Sequence, residues 1–270
     1  MMQVYTLPNG KSVKKPFNRF WIVVPMFIAL CVAMAFVIPI DWSNVNFSEL
    51  VVILRKMFTP KGTRTWGDYF GFMLTLGDEV ADTLQMTFAG TLIGCVLAVP
   101  VAIISSSNIV KAKWLSMPVK FFLNIMRTIP TLMWTALAVA LVGFGILPGI
   151  AAIALFSFGI MGKMLYEAIE TVDMSPFEAL ESVGANKVGA FRYSVFTQIA
   201  PIYISYTIYI FEINIRASAM LGYVGAGGLG SVIKDNVLYN YDRVGATIIV
   251  MFALVLVIQL LSNFVRRKLQ

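Results

Sequence analysis

Ser175-Pro176-Phe177-Glu178-Ala179-Leu180-Glu181-Ser182-Val183-Gly184 is a short polar stretch set between two long apolar runs. Ser175 and Glu178 stand at the spacing of a capping box, and Pro176 suits a first helical position. Gly184 falls where a left-handed residue closes a helix. The spacing therefore predicts a two-turn helix over residues 176–183 with a defined start and stop. Most of the remaining chain belongs in lipid, so a rigid polar helix outside the membrane reads as a docking element for something soluble. Phe177, Leu180 and Val183 would form its apolar side, and Glu178 and Glu181 a carboxylate rim, which suits a groove on a partner. The plainer reading is an ordinary loop helix at the membrane surface.

Composition supports that setting. The 270 residues are 59% hydrophobic and only 13% charged, with a mean hydropathy of +0.80. Soluble domains run at about 45–50% apolar and about 25% charged. The net charge of +7 does not indicate nucleic-acid binding, because the basic residues gather at the ends of apolar runs rather than along one stripe. With no histidine and two cysteines, both inside apolar runs, a disulfide framework and a histidine-based metal site or triad are excluded. Cys31 and Cys95 read as small hydrophobes.

Six segments reach the roughly 20 apolar residues that a spanning helix needs: 21–40, 83–104, 121–142, 146–166, 196–213 and 245–264. The first follows a basic lead (Lys11, Lys14, Lys15, Arg19) and is too long for a signal-peptide core, so it reads as an uncleaved span. Six spans put the basic clusters at the N-terminus, at Lys111/Lys113/Lys120, at Lys163/Lys187/Arg192 and at Arg266-Arg267-Lys268 on one side. The positive-inside rule makes that side cytoplasmic, with both termini and the 176–183 helix. Residues 41–82 would lie outside despite Arg55, Lys56, Lys61 and Arg64. Within them Asn46-x-x-Glu49 is a second capping-box candidate, followed by Leu50, Ile53, Leu54, Met57 and Phe58 at helical spacing. This segment is either an amphipathic helix on the outer membrane surface or a loop helix packed on the bundle.

Residues 222–230 (Gly-Tyr-Val-Gly-Ala-Gly-Gly-Leu-Gly) are not a nucleotide loop. A membrane helix precedes them where a strand is required, and the chain has no G-x-x-x-x-G-K-[ST]. Irregular backbone at membrane depth is tolerated when buried in protein or lining a water-filled path. Gly225, Gly227, Gly228 and Gly230, with Ser218 just before them, read as a bend or gate, or as a glycine-rich outer loop without a transport role. Glu212 and Arg216 are spaced i,i+4 with the acid first, near the outer end of the fifth span. They form either a structural pair or part of a pathway lining that is acceptable to an anion. Arg127, just before Pro130, either snorkels to the cytoplasm or lines the inner path.

Glu178-Ala179, a gap of four residues and Gly184 together resemble the cytoplasmic EAA loop of permease subunits in bacterial ATP-driven (ABC) importers. Gly184-Ala185-Asn186-Lys187 through Gln198-Ile199-Ala200-Pro201 is similar to the phosphonate-type permeases in particular. So are residues 209–218 and the glycine segment. The chain departs from the pattern at Leu180, where a second alanine is usual. It departs again at Ser194-Val195-Phe196-Thr197, where Ile-x-Leu-Pro is usual. The resemblance covers about residue 69 to the C-terminus. It implies an all-α membrane protein of six transmembrane helices: a peripheral region (1–68), and a type I importer permease core (69–270) carrying a cytoplasmic coupling helix (176–183).

By the same resemblance, two copies form a homodimer around a central pathway. Two ATP-binding subunits dock on Phe177, Glu178, Ala179, Leu180, Glu181 and Gly184, and an extracytoplasmic substrate-binding protein delivers cargo. Alternating access would be driven by ATP and Mg held in the partner ATPase. This chain would bind no cofactor and catalyse nothing. The implied cargo is a phosphorus oxyanion (phosphonate, phosphate or phosphite). A methionine-type amino-acid importer permease is the alternative within the family, and a secondary transporter the alternative outside it. The latter would need ionisable residues at mid-membrane, which the central spans nearly lack.

Overall fold

The computed structural model describes residues 4–6, 12–14, 20–37 and 46–269. Lys11, Lys15, Arg19 and the last residues of the expected first span lie outside them. The described residues divide into two units, Met1–Val51 and Val52–Gln270. The first contains a hairpin of three-residue strands, β1 (Val4–Thr6) and β2 (Ser12–Lys14), paired antiparallel with Tyr5 opposite Val13. It also holds α1 (Phe20–Val37), an apolar helix with Pro25 inside. All other described elements are helical, as expected of an all-α membrane protein.

The unit boundary falls within α2 (Phe47–Met57). Helices α3 (Trp66–Thr75), α4 (Gly77–Ser105), α5 (Lys113–Thr128), α6 (Thr131–Val142) and α7 (Ile146–Thr171) follow. The chain continues through α8 (Ser175–Ser182), α9 (Lys187–Ala190), α10 (Phe196–Leu221), α11 (Leu229–Asn236) and α12 (Tyr241–Leu269). Among the described residues, four runs are long and apolar enough to cross a bilayer: Trp66–Ser105, Ile146–Thr171, Lys187–Ala226 and Tyr241–Lys268. A fifth arises if the bent pair α5 and α6 is one span.

That pair corrects the expectation of one continuous helix over 121–142: α5 and α6 meet at 86°. Ile129 is extended (φ −77°, ψ 119°) because the ring of Pro130 disfavours a helical residue before it. Pro130, lacking an N–H, then restarts the chain as the α6 N-cap.

Helix α7 lies between α4 and α5. Its α4 side is met by Gly90 and Gly94, spaced so that two helix backbones can approach closely. A Cβ on Gly90 would stand 2.7 Å from Ile153 Cβ, and one on Gly94 would strike the Ala154 carbonyl. On the α5 side, Gly162 admits Leu123. The buried core runs from Cys95, Ala98 and Ala102 of α4 through Met161, Leu165 and Ile169 of α7 to Ile199 and Ile210 of α10. Within it Asn214 is fully buried and donates to Thr91 Oγ1 and Ser157 Oγ, 2.8 Å each, joining three helices.

Two local starts differ from the sequence reading. Asn46 does not cap α2 through its side chain; its Nδ2 donates instead to Glu49 Oε1 at 3.3 Å. The reciprocal capping box belongs to α3, where Asp68 N–H donates to Thr65 Oγ1 and Thr65 N–H to Asp68 Oδ2. Two of the basic residues that ran against the orientation rule are used locally. Arg64 pairs with the buried Asp242 at 2.6 Å, and Lys61 donates to the Tyr239 carbonyl.

Candidate functional site

The capping box expected at Ser175 and Glu178 is not formed. Ser175 is already helical, the N-cap is Met174, and no side chain caps from that position. Asp173 does the work instead, its Oδ1 accepting from Ser175 N–H (2.9 Å) and Ser175 Oγ (2.7 Å). Those two hydrogen bonds hold the Asp173 carboxyl below its ordinary range. Such an Asx turn directs the chain into the helix from two residues upstream. The far end is as read: Gly184 has φ +90°. Its N–H donates to Glu181 O and that of Ala185 to Leu180 O, 3.0 Å each. These two bonds make a complete Schellman closure.

No residue of α8 is fully buried, yet its faces differ from the expected apolar knob. Phe177 packs inward against the bundle core with Met174 and Phe191, and Leu180 is half-buried. Glu178, Ala179 and Glu181 are exposed, and Val183 is 81% exposed. Phe177 thus anchors the helix, while the carboxylates and Val183 face outward. A groove of about 490 Å3 runs beside it, lined by Asn108, Ile109 and Lys111 opposite Phe177, Glu178 and Glu181.

The helix is tied to its neighbours at both approaches. Gln198 Nε2 donates to Asp173 O at 3.0 Å. Three residues before Asp173, Glu170 Oε1 accepts from Lys120 Nζ and Ser107 N–H, 2.7 Å each. Asn108 Nδ2 donates to Ile169 O at 2.6 Å. The connection between α4 and α5 is therefore bonded to the end of α7 from which α8 departs. Sequence reading missed these contacts, since partners 25 to 63 positions apart leave no local spacing.

The opposite end of the bundle holds the glycine segment. After α10 the chain turns through 222–226, with Gly225 at φ +115°, Gly227 at +79° and Gly228 at +67°. It then folds back on itself, so that a Cβ on Gly222 would stand 2.6 Å from Gly230 Cα. The expected close-packed bend is present. Gly225 O accepts from Gly145 N–H at 3.0 Å, and Leu229 N–H donates to Thr83 Oγ1 at 3.0 Å. The bend thus touches both α4 and the α6–α7 turn. Ser218 is buried and bonds its own helix at Ile215 O.

Glu212 and Arg216 do not sit at the outer end of a span. Helix α10 runs on to Leu221, because the polar residues after 213 bond within the bundle rather than leaving it. Glu212 is buried, paired with Arg216 as expected and also with Arg266 of α12 at 2.7 Å. Arg127 is exposed in the last turn of α5, before the break.

Residues 90–270 match the model of the binding-protein-dependent transport system inner membrane components. The chain belongs to that family. This inner membrane component is 36% identical over 215 residues to a phosphite transport system permease protein of Stutzerimonas stutzeri, covering 79% of this chain and 78% of that one. It is 33% identical to a phosphate-import permease protein of Mycolicibacterium smegmatis over 70% of this chain, but only 36% of that longer protein. Its fold resembles an inward-facing structure of the MetNI methionine ABC transporter (TM-score 0.66, 24% identity, 73% of this chain and 97% of that one). It is accordingly a multi-pass bacterial membrane protein and a translocation subunit, not a catalyst.

Proposed function

We propose that this inner membrane component carries a phosphorus oxyanion across the bacterial cytoplasmic membrane as the homodimeric permease of an ATP-driven importer. The observation that carries the coupling part is α8: a helix with no fully buried residue, fixed by Asp173 at one end and Gly184 at the other. Two ATP-binding subunits dock there through Glu178, Ala179, Leu180, Glu181 and Gly184. Phe177 transmits their motion into the core against which it packs. ATP and Mg reside in those subunits, and this chain binds no cofactor. Any energy delivered must act through different contacts in two states, and α8 is rigid enough to impose them.

In this reading α8 and both termini are cytoplasmic. The glycine turn faces outside, where a substrate-binding protein presents cargo, and residues 69–270 form the permease core. Gly225, Gly227, Gly228 and Gly230 give the gate its backbone freedom. Ser218 and Arg216 border the pathway beside Glu212, and Arg127 stands at its cytoplasmic mouth. The cargo class rests on the phosphite and phosphate carriers to which the chain is similar.

The test is reconstitution with the cognate ATPase and binding protein in proteoliposomes. Phosphite, phosphate or a phosphonate should stimulate hydrolysis and accumulate inside, whereas methionine should do neither. Stimulation by methionine without any response to the three oxyanions would sink the cargo assignment.

A further inference from the structure

The Glu212 carboxylate is shared. Its Oε1 accepts from Arg216 Nη2, one helical turn on, and its Oε2 from Arg266 Nη2 at 2.7 Å, 54 positions away on α12. Glu212 is 7% exposed, Arg216 47% and Arg266 29%. One carboxylate against two guanidiniums leaves one positive charge, inside helices long and apolar enough to cross a bilayer. The sequence alone offers a neutral pair, Glu212 with Arg216. The structure adds a second cation from a residue whose evident purpose was to orient the C-terminus.

The surplus is not evenly placed. Arg266 is turned back onto the buried acid, and its Nε is buried without a partner among the described residues. Arg216 is the half-exposed member. It shares one face of α10 with Tyr209 and Met220, both of them exposed. A net cation on a lipid-facing stripe is costly, so such a face belongs against water or protein. A guanidinium there, with donors to spare, suits a tetrahedral oxyanion.

We infer that Arg266 is a positioning residue: by neutralising Glu212 it leaves the charge of Arg216 free for the cargo oxyanion. This rests on the oxyanion reading above. Without Arg266, Glu212 would pair with Arg216 alone, and the pathway would lose its positive charge although Arg216 remained.

The experiment measures uptake of radiolabelled phosphite and phosphate by proteoliposomes holding the complete complex, with co-purification of the ATPase as the assembly control. Arg266→Gln should lower uptake at least about tenfold, as expected when the charge facing an anion is cancelled. Glu212→Gln with Arg266→Gln should restore it to within about threefold of wild type, a non-additivity of the kind that coupled charges show. Glu212→Gln with Arg216→Gln has the same net charge but should stay impaired, because the remaining cation is on the wrong residue.

A merely structural tie between α10 and α12 predicts that the Glu212/Arg266 double variant is no better than Arg266→Gln. That result overturns the inference, as does wild-type uptake by Arg266→Gln. If Arg266→Gln does not assemble, the Glu212/Arg266 double variant decides alone, its activity supporting the inference and its inactivity refuting it. A wild-type complex that transports no oxyanion refutes the cargo reading itself, a distinct result.

Discussion

Replacing Gly184 by Val should weaken ATPase docking without unfolding the bundle. The cost is worked from the backbone, since nothing lies within 4 Å of a Cβ built at Gly184. At φ +90° a residue with a Cβ carries about 1–2 kcal/mol of strain, and more when β-branched. The chain can relieve it only by unwinding the last turn, which gives up the Gly184-to-Glu181 and Ala185-to-Leu180 hydrogen bonds, each contributing about 0.5–1.5 kcal/mol net. Either way the partner meets a helix end destabilised by about 1–2 kcal/mol, and its affinity should fall about 5- to 30-fold. The bundle should keep its thermal midpoint, because α8 contributes no fully buried residue. Titration of the labelled ATPase onto nanodisc-embedded permease reads the affinity, and Gly184→Asn, which tolerates positive φ, should recover most of it. Unchanged affinity for Gly184→Val would refute the view that the Schellman end sets the docking geometry.

Three further outcomes are expected. In a background lacking Cys31 and Cys95, an impermeant thiol reagent added outside should label cysteines at positions 61 and 235 but not at 187; external labelling at 187 would overturn the proposed orientation. Asp173→Ala should impair docking, while Asp173→Asn, which keeps the acceptor, should not. Because the carboxyl of Asp173 is held below the ordinary 3.8, its contribution is complete above that value and disappears only as pH falls through the lowered one. Affinity should therefore be flat in pH from about 5 to 8 as far as this group is concerned; a docking transition near neutral pH that vanishes in Asp173→Asn would contradict this. Gly94→Val should destabilise the α4–α7 contact by several kcal/mol, since its Cβ meets backbone at Ala154 and Phe158 that cannot yield, and the purified protein should aggregate or melt early. A normal melting curve would show that the two helices are not held at this distance.

What the sequence disclosed, and what it hid, follows from the range of each interaction. The end of α8 was legible because a left-handed closure needs one residue, Gly184, at one offset. Its start was misassigned because Ser175 and Asp173 can both supply the oxygen, and only the path of the chain after α7 decides that Asp173 does. The break between α5 and α6 was written in Ile129-Pro130, but apolarity counts alone run straight through it. The Thr83, Thr87 and Thr91 stripe and the Gly90-x-x-x-Gly94 spacing on α4 went unread, because their role is defined by partners on α7, α10 and α11 that no local pattern discloses.

The charged residues make the same point with more consequence for function. Arg266 belongs to a run, Arg266-Arg267-Lys268, that composition explains completely as an orientation signal. Nothing local distinguishes Arg266 from its two neighbours. Only the crossing of α12 over α10 brings this one side chain to a buried carboxylate, and that contact changes the count at Glu212 from a neutral pair to a surplus cation. Lys120 behaves alike: a basic residue at a span end by pattern, it is by geometry the bond between the α4–α5 connection and the end of α7. In a chain this apolar, a charge explained by topology can serve a second role that only packing reveals.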